Sequence, residues 1–309
     1  MEKPGEGALY CVVDLAGGPD AESYPVQYLD AEPEGGFNTD EYKTTKLVLK
    51  RIDAGTFVMG DPSVPDNQPH VVTLTKAFYM GIFEVTQKQW TLVMKWNPSY
   101  FMHLGDWKRR PVEQVYYENI RGLKNEEGKA WPESASVDPH SFVGRLRART
   151  GIDFDLPTEA QWEYACRAGT KTLYSFGDES VRADYMWHEG DLEEYATQPV
   201  GMKKPNGFGL YDMHGNVSEC CLDWYGRELS KGVDPVGPTV PDVTRRVLRG
   251  GPTGQYWFEK GRVPGGCSSL RMVGINEYAE DEDENDGYYW SGPAEPYYDI
   301  GFRLAKAIG

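Results

Sequence analysis

Asp212, Asn216 and Glu219 fall close together in the stretch GFGLYDMHGNVSECCLDWY (207–225), interspersed with Gly207, Gly209 and Gly215. Oxygen donors at that spacing, on a backbone loosened by glycine, suit a hard cation. Calcium takes carboxylates together with carbonyls that a tight turn points inward. Asp212 and Glu219 would supply side chains, and Gly215 and Val217 would supply carbonyls. The same residues also fit a metal-free turn, in which Asn216 and Glu219 bond backbone groups. Val217, Leu222, Trp224 and Tyr225 require burial. The stretch therefore reads as an irregular loop leading into core, neither helix nor regular strand.

Other chemistry finds little support. The five cysteines are Cys11, Cys166, Cys220, Cys221 and Cys267, and no two form a C-x-x-C pair. That removes the usual zinc spacing and leaves buried thiols as the default. Cys220 and Cys221 are adjacent and face opposite sides of an extended chain. His70, His103, His140, His188 and His214 never fall at a metal-binding interval, and there is no G-x-S-x-G elbow or phosphate loop.

A second stretch has the composition of a recognition surface. Between 255 and 299 lie Tyr256, Trp257, Phe258, Tyr278, Tyr288, Tyr289, Trp290, Tyr297 and Tyr298, set among Gly, Ser, Asn and acids. Tyr and Trp give large, stiff contact area with a polar tip, and the small polar residues give adaptable hydrogen bonds. The same aromatics could instead fill the core of a loop-rich domain. The acidic run EYAEDEDEND (277–286) reads as a solvated, mobile loop.

The elements that must hold these stretches are short. Strands are expected at 10–15, 24–29, 47–52, 56–59, 70–75, 78–85, 245–249 and 301–305. Thr86 with Gln89, and Thr158 with Gln161, fit capping boxes that open helices, the second of them ended by Gly169. Asp138 with Pro139 is expected to start a helix ending at Gly151, with Arg145, Arg147 and Arg149 on a solvated face. Residues 1–45 read as an N-terminal β appendage and 46–309 as the main domain. Thirty-five glycines and 21 prolines among 309 residues imply many turns and little long helix, while 39% hydrophobic residues suffice for a sizeable core. A net charge of −16 argues against nucleic acid as a partner. No run is long and apolar enough for a membrane helix. The first residues lack the apolar core of a signal peptide. That leaves a cytoplasmic chain, or an extracytoplasmic or cell-surface one whose leader has been removed.

GLYDMHGNVSECCLDWY resembles the signature of the formylglycine-generating enzyme family, the sulfatase-modifying factor domain. FVMGD (57–61), FYMGIFEVTQKQW (78–90), LPTEAQWEYACRAGT (156–170), RVLRGG (246–251) and GFRLA (301–305) follow the same family pattern in order, over about 46–305. The family usually reads W-E-W where this chain has Ser218-Glu219-Cys220, so two large aromatics are missing. The resemblance implies an α+β, irregular C-type-lectin-like fold. It also implies structural calcium at Asp212, Gly215, Val217 and Glu219, and a second calcium site to which Asp184 and Asp191 would belong. Cys166 is expected opposite Cys267, within disulfide reach.

The resemblance also bears on activity. In the oxidase branch, two cysteines after the RGG strand bind copper(I), yet this chain has none between Leu222 and Gly266, so copper is not expected. The iron-dependent relatives carry their iron histidines in an extra helical domain, for which this chain has no room. A further subset consists of binding proteins whose stretch between the RGG strand and GFRLA varies to change ligand. The expected function is thus a non-catalytic module for a protein or glycan ligand, in the manner of a variable protein of a diversity-generating system. Recognition would run through Tyr256, Trp257, Phe258, Tyr288, Tyr289, Trp290, Tyr297 and Tyr298. The alternative is a family enzyme with altered chemistry, an oxidoreductase acting on a protein or small thiol.

Overall fold

Alternating apolar and polar residues give a series of short strands with short helices between them. In chain order these are β1 (Tyr10–Asp14), β2 (Val26–Leu29), α1 (Asp40–Thr44), β3 (Lys46–Ile52), β4 (Gly55–Met59), β5 (His70–Leu74), β6 (Phe78–Gly81), α2 (Gln87–Met94), α3 (Tyr117–Ile120) and α4 (Phe142–Thr150). There follow β7 (Phe154–Asp155), α5 (Glu159–Arg167), α6 (Arg182–Tyr185), β8 (Ser218–Trp224), β9 (Gly232–Val233), β10 (Arg245–Arg249), β11 (Arg271–Asn276), β12 (Ile300–Gly301) and β13 (Ala305–Ala307). The structure, a computed structural model, describes residues 7–62, 67–122, 137–187, 196–226, 228–238, 245–251, 271–276 and 300–308.

The strands form three sheets, ordered β2-β1-β3-β6-β13-β7, β11-β10-β8-β12 and β4-β5-β9. The first sheet is buried on both faces. Along β1, Cys11 and Val13 enter one apolar cluster while Tyr10 and Val12 enter the other. Strand β1 pairs antiparallel with β3, from Tyr10↔Lys50 to Asp14↔Lys46. Strand β13 inserts between β6 and β7, so the end of the chain closes the sheet that its beginning opened.

Both expected capping boxes form, at Thr86 with Gln89 and at Thr158 with Gln161. Five local expectations need correction. Ser141, not Asp138, caps α4; Asp138 instead turns the chain just before it, accepting from the His140 N–H. Gly144 is required there because a Cβ would lie 1.9 Å from the Asp138 carbonyl oxygen. Ala168, with φ of 47°, is the cap of α5, and Gly169 follows it. The arginines of α4 are not simply solvated: Arg147 pairs with Asp155, and Arg149 donates to the carbonyls of Ala21 and Pro19. The strand expected over 78–85 stops at Gly81, and the one expected over 301–305 is split into β12 and β13 around Phe302–Leu304.

Candidate functional site

The second half of the 207–225 stretch is a regular strand, which corrects the expectation of an irregular loop throughout. Every residue of β8 is buried. The pleat sends Cys220 to one apolar cluster and Cys221 to the other. Burial above all, with the Glu219 charge and against the pull of Arg246, pushes the Cys220 thiol up to about 12, so it is an inert core thiol at neutral pH. Only the first half is a turn, and it is tightly wound. Asp212, Gly215 and Asn216 have φ of 55°, 84° and 64°. A Cβ on Gly215 would sit 2.3 Å from the Trp187 carbonyl oxygen, so the turn lies directly against that segment.

Glu219 stands at the centre of a buried charge cluster. Strand β12 runs parallel to β8 with Gly301 opposite Glu219, which brings Arg303 of the GFRLA motif onto the same spot. The guanidinium grips the carboxylate with Nε to Oε2 and Nη2 to Oε1, both at 2.6 Å. Trp162 of α5 adds its indole N–H to Oε2 at 2.8 Å. Arg303 also donates to the carbonyls of Gly81 and Tyr211. All three side chains are fully buried. Burial by itself would lower the Arg303 pKa, but the Glu219 charge more than reverses this, so the pair is ionic.

Two more carboxylates share this interior. Glu84 accepts from the Asn216 amide at 2.7 Å and from the Val217 N–H at 3.3 Å. Asp212 accepts from the Gly201 N–H at 2.6 Å. Burial first, then the charges of Asp212 and Glu219, raise Glu84 well above the usual carboxylate range. Burial likewise raises Asp212 to about 6. Lys43 is buried nearby, its pKa lowered by burial and partly restored by Asp212. Three buried carboxyl groups thus share this interior with two cations, Arg303 and Lys43, and the raised Glu84 favours its neutral form, which brings the charges into balance.

The Glu219 carboxylate uses three of its roughly four acceptor positions, and Asp212 accepts a single N–H. No three His, Cys, Asp or Glu side chains converge on one point among the described residues. Asp184 lies elsewhere, exposed on α6 and paired with Lys204 at 2.7 Å. Asp191 falls outside the described residues.

A parallel cluster ties the remaining motifs together. Arg249 of the RGG turn is fully buried, pairs with Glu159 at 3.1 Å and with Glu163, and lies over the Trp162 ring. Glu163 also accepts from Arg167 and from the Gly60 N–H of the FVMGD motif, both at 2.8 Å. Sequence reasoning missed Glu84, Trp162, Arg249 and Arg303 as members of these clusters. The available signal was arginine set among apolar residues, Arg246 and Arg249 in RVLRGG and Arg303 in GFRLA, since an unpaired buried charge is prohibitively costly.

Cys166 is buried on α5, its Sγ 3.6 Å from the Met213 carbonyl and 3.7 Å from His214 Nε2. Its expected counterpart Cys267 lies outside the described residues, as do Tyr256, Trp257, Phe258, Tyr288, Tyr289, Trp290, Tyr297 and Tyr298. The described part of 252–299 is β11, which pairs antiparallel with β10. The interval is therefore not loop throughout. It leaves one strand of the four-stranded sheet, β10, and returns to another, β12.

Known proteins share this architecture. The solved structure of Treponema denticola variable protein 1 superposes with a TM-score of 0.62 at 29% identity, covering 85% of this chain and 95% of that one. The chaperone protein LppX of Paenibacillus barcinonensis is 32% identical over 236 residues, 66% of this chain and 77% of its own. The formylglycine-generating enzyme of Streptomyces coelicolor is 40% identical over 248 residues, 65% of this chain and 77% of its own. The chain spans only 33% of the matching serine/threonine-protein kinase pkn1 of Chlamydia pneumoniae. The model of the sulfatase-modifying factor enzyme 1-like domain matches residues 35–308, a range that contains both arginine clusters and the turn between them. With its α+β, C-type-lectin-like fold, the chain belongs to the sulfatase-modifying factor enzyme 1-like family.

Proposed function

We propose that this chain is a non-catalytic binding module for a protein or glycan ligand, with recognition by the 252–299 segment. One observation carries the reading: the aromatic-rich interval departs from β10 and returns at β12, which pair on either side of β8. A rigid sheet thus fixes both ends of a long segment, an arrangement common for binding loops. The buried arginines that flank it, Arg249 and Arg303, are engaged in ion pairs and serve the frame. The likeness to a variable protein supports the same reading.

The alternative enzyme reading rests on the 40% identity to a formylglycine-generating enzyme. It meets the absence of any cysteine between Leu222 and Gly266. Purified protein, incubated with a sulfatase-type cysteine peptide with and without copper, is expected to give no formylglycine by mass spectrometry. Aldehyde above the no-protein control would overturn the non-catalytic reading.

Calcium belongs to the same proposal as a structural ion, held by Asp212 and Glu219 with the carbonyls of Gly215 and Val217. A ligand that binds only the folded state stabilises it, by about 2.7 kcal/mol at a hundredfold excess over Kd. Calcium should raise the thermal midpoint, and Asp212→Asn should abolish the rise. An unchanged midpoint on adding calcium to chelator-stripped wild-type protein would mean that Lys43 and Arg303 suffice.

A further inference from the structure

Lys43 is the other cation beside the Asp212 turn, and unlike Arg303 it grips no carboxylate. It lies on α1, which the Thr86 hydroxyl ties to the start of α2 by donating to the Lys43 carbonyl at 2.7 Å. The residue is only 8% exposed. Its Nζ lies 5.5 Å from the centre of the Phe83 ring, and among the described residues it makes no hydrogen bond and no ion pair. An ammonium taken out of water without an acceptor is costly. Two neighbours offset that cost. One is the π face of Phe83, and the other is the charge of Asp212, which pulls the Lys43 pKa back up against burial. The remaining charges nearby, Asp40 and Arg109, pair with each other at 3.1 Å.

Gly201 lets the lysine approach. Its N–H donates to Asp212 Oδ2 at 2.6 Å, and its carbonyl accepts from the Asn38 amide at 2.9 Å. A Cβ at this position would lie 3.2 Å from Lys43 Cε and 2.6 Å from the Phe83 ring, and the φ of 71° favours glycine as well. One backbone unit thus separates the lysine stem from the Asp212 carboxylate. Asp212 accepts no second bond among the described residues, so it has acceptor positions left for a cation.

We infer that Lys43 is a resident counter-cation of the Asp212 turn, which competes with a divalent ion for that carboxylate and so sets the calcium affinity of the turn. The inference rests on the calcium reading above. Its physics is Coulomb repulsion in a dry interior. A divalent ion at Asp212 and an ammonium held across Gly201 repel at an effective dielectric well below that of water, where salt screens them little. The lysine also supplies in advance part of the neutralisation that the ion would bring. Calcium therefore gains less at this turn than at one with no cation beside it.

Calorimetric titration of calcium into the chelator-stripped full chain tests this, for wild type, Lys43→Met and Lys43→Arg, with the thermal midpoint of each in chelator recorded in parallel. Methionine keeps an unbranched stem against Phe83 and Gly201 and removes the charge, whereas arginine keeps the charge. Lys43→Met is expected to bind calcium at least about tenfold more tightly than wild type, and Lys43→Arg is expected to show no such gain. In chelator, Lys43→Met should melt below wild type because Asp212 has lost its counter-charge, and calcium should restore it. Equal calcium affinity in wild type and Lys43→Met, or an equal gain in Lys43→Arg, would overturn the inference and leave the calcium reading standing. Calcium bound by Lys43→Met but not by wild type would support the inference and remove calcium as the native chain's ion. Binding by neither protein would overturn both. A Lys43→Met midpoint in chelator equal to that of wild type would also overturn the inference, since Lys43 would then serve packing alone.

Discussion

Replacing Arg303 by Ala is expected to unfold most of the protein. The guanidinium is fully buried and gives two 2.6 Å bonds to Glu219, one to Gly81 and one to Tyr211. Removing it leaves the Glu219 carboxylate buried without its counter-charge, beside the buried carboxyl groups of Glu84 and Asp212. Breaking a buried pair by deleting one partner costs about 3–5 kcal/mol. Total stabilities run to about 5–15 kcal/mol, so the loss takes a large share. The signature lies in the second variant. Arg303→Met with Glu219→Gln removes both charges, roughly keeps volume and leaves an acceptor for the Trp162 indole. It should recover a large part of what Arg303→Ala loses, as read by urea midpoints or, where the single variant is insoluble, by soluble yield. Equal loss in both variants would mean that the backbone bonds of Arg303, rather than its charge on Glu219, hold the frame.

The contrast between these clusters and the helix caps shows what the sequence made legible. Thr86 with Gln89 and Thr158 with Gln161 satisfy each other three residues apart, so their boxes can be read locally. Alternation placed most strands for the same reason. Ser141 was missed because Asp138 and Pro139 also fit a helix start, and what decides between them is the Ser141 hydroxyl accepting from the Gly144 N–H. Arg303 and Glu219 are 84 positions apart and meet only because β12 runs parallel to β8. No spacing rule carries that information. The 207–225 stretch was half right, since glycine marks the turn but its buried half extends as β8. The ladder between β1 and β3 joins strands more than 30 residues apart, which no local signal announces.

The second large effect concerns the aromatic segment. Tyr289→Ala with Trp290→Ala should abolish ligand capture while leaving the fold intact. Buried Trp and Tyr anchors in interfaces typically contribute about 2 kcal/mol or more each. Two of them should weaken binding at least several hundredfold, by the rule that about 1.4 kcal/mol is tenfold. The frame strands β8, β10 and β12 are tied by Arg249, Arg303 and Trp162, none of which these substitutions touch. The thermal midpoint should accordingly stay at the wild-type value.

Binding of wild-type and doubly substituted protein to a glycan array and to a displayed peptide library, with the thermal midpoint of each recorded in parallel, decides whether this chain is a recognition module. Saturable wild-type binding on one of the two supports, lost in the Tyr289→Ala/Trp290→Ala protein at unchanged midpoint, is the expected result. Undiminished binding by the double variant, or a midpoint that falls together with binding, would place these side chains in the core and remove the segment as the ligand surface.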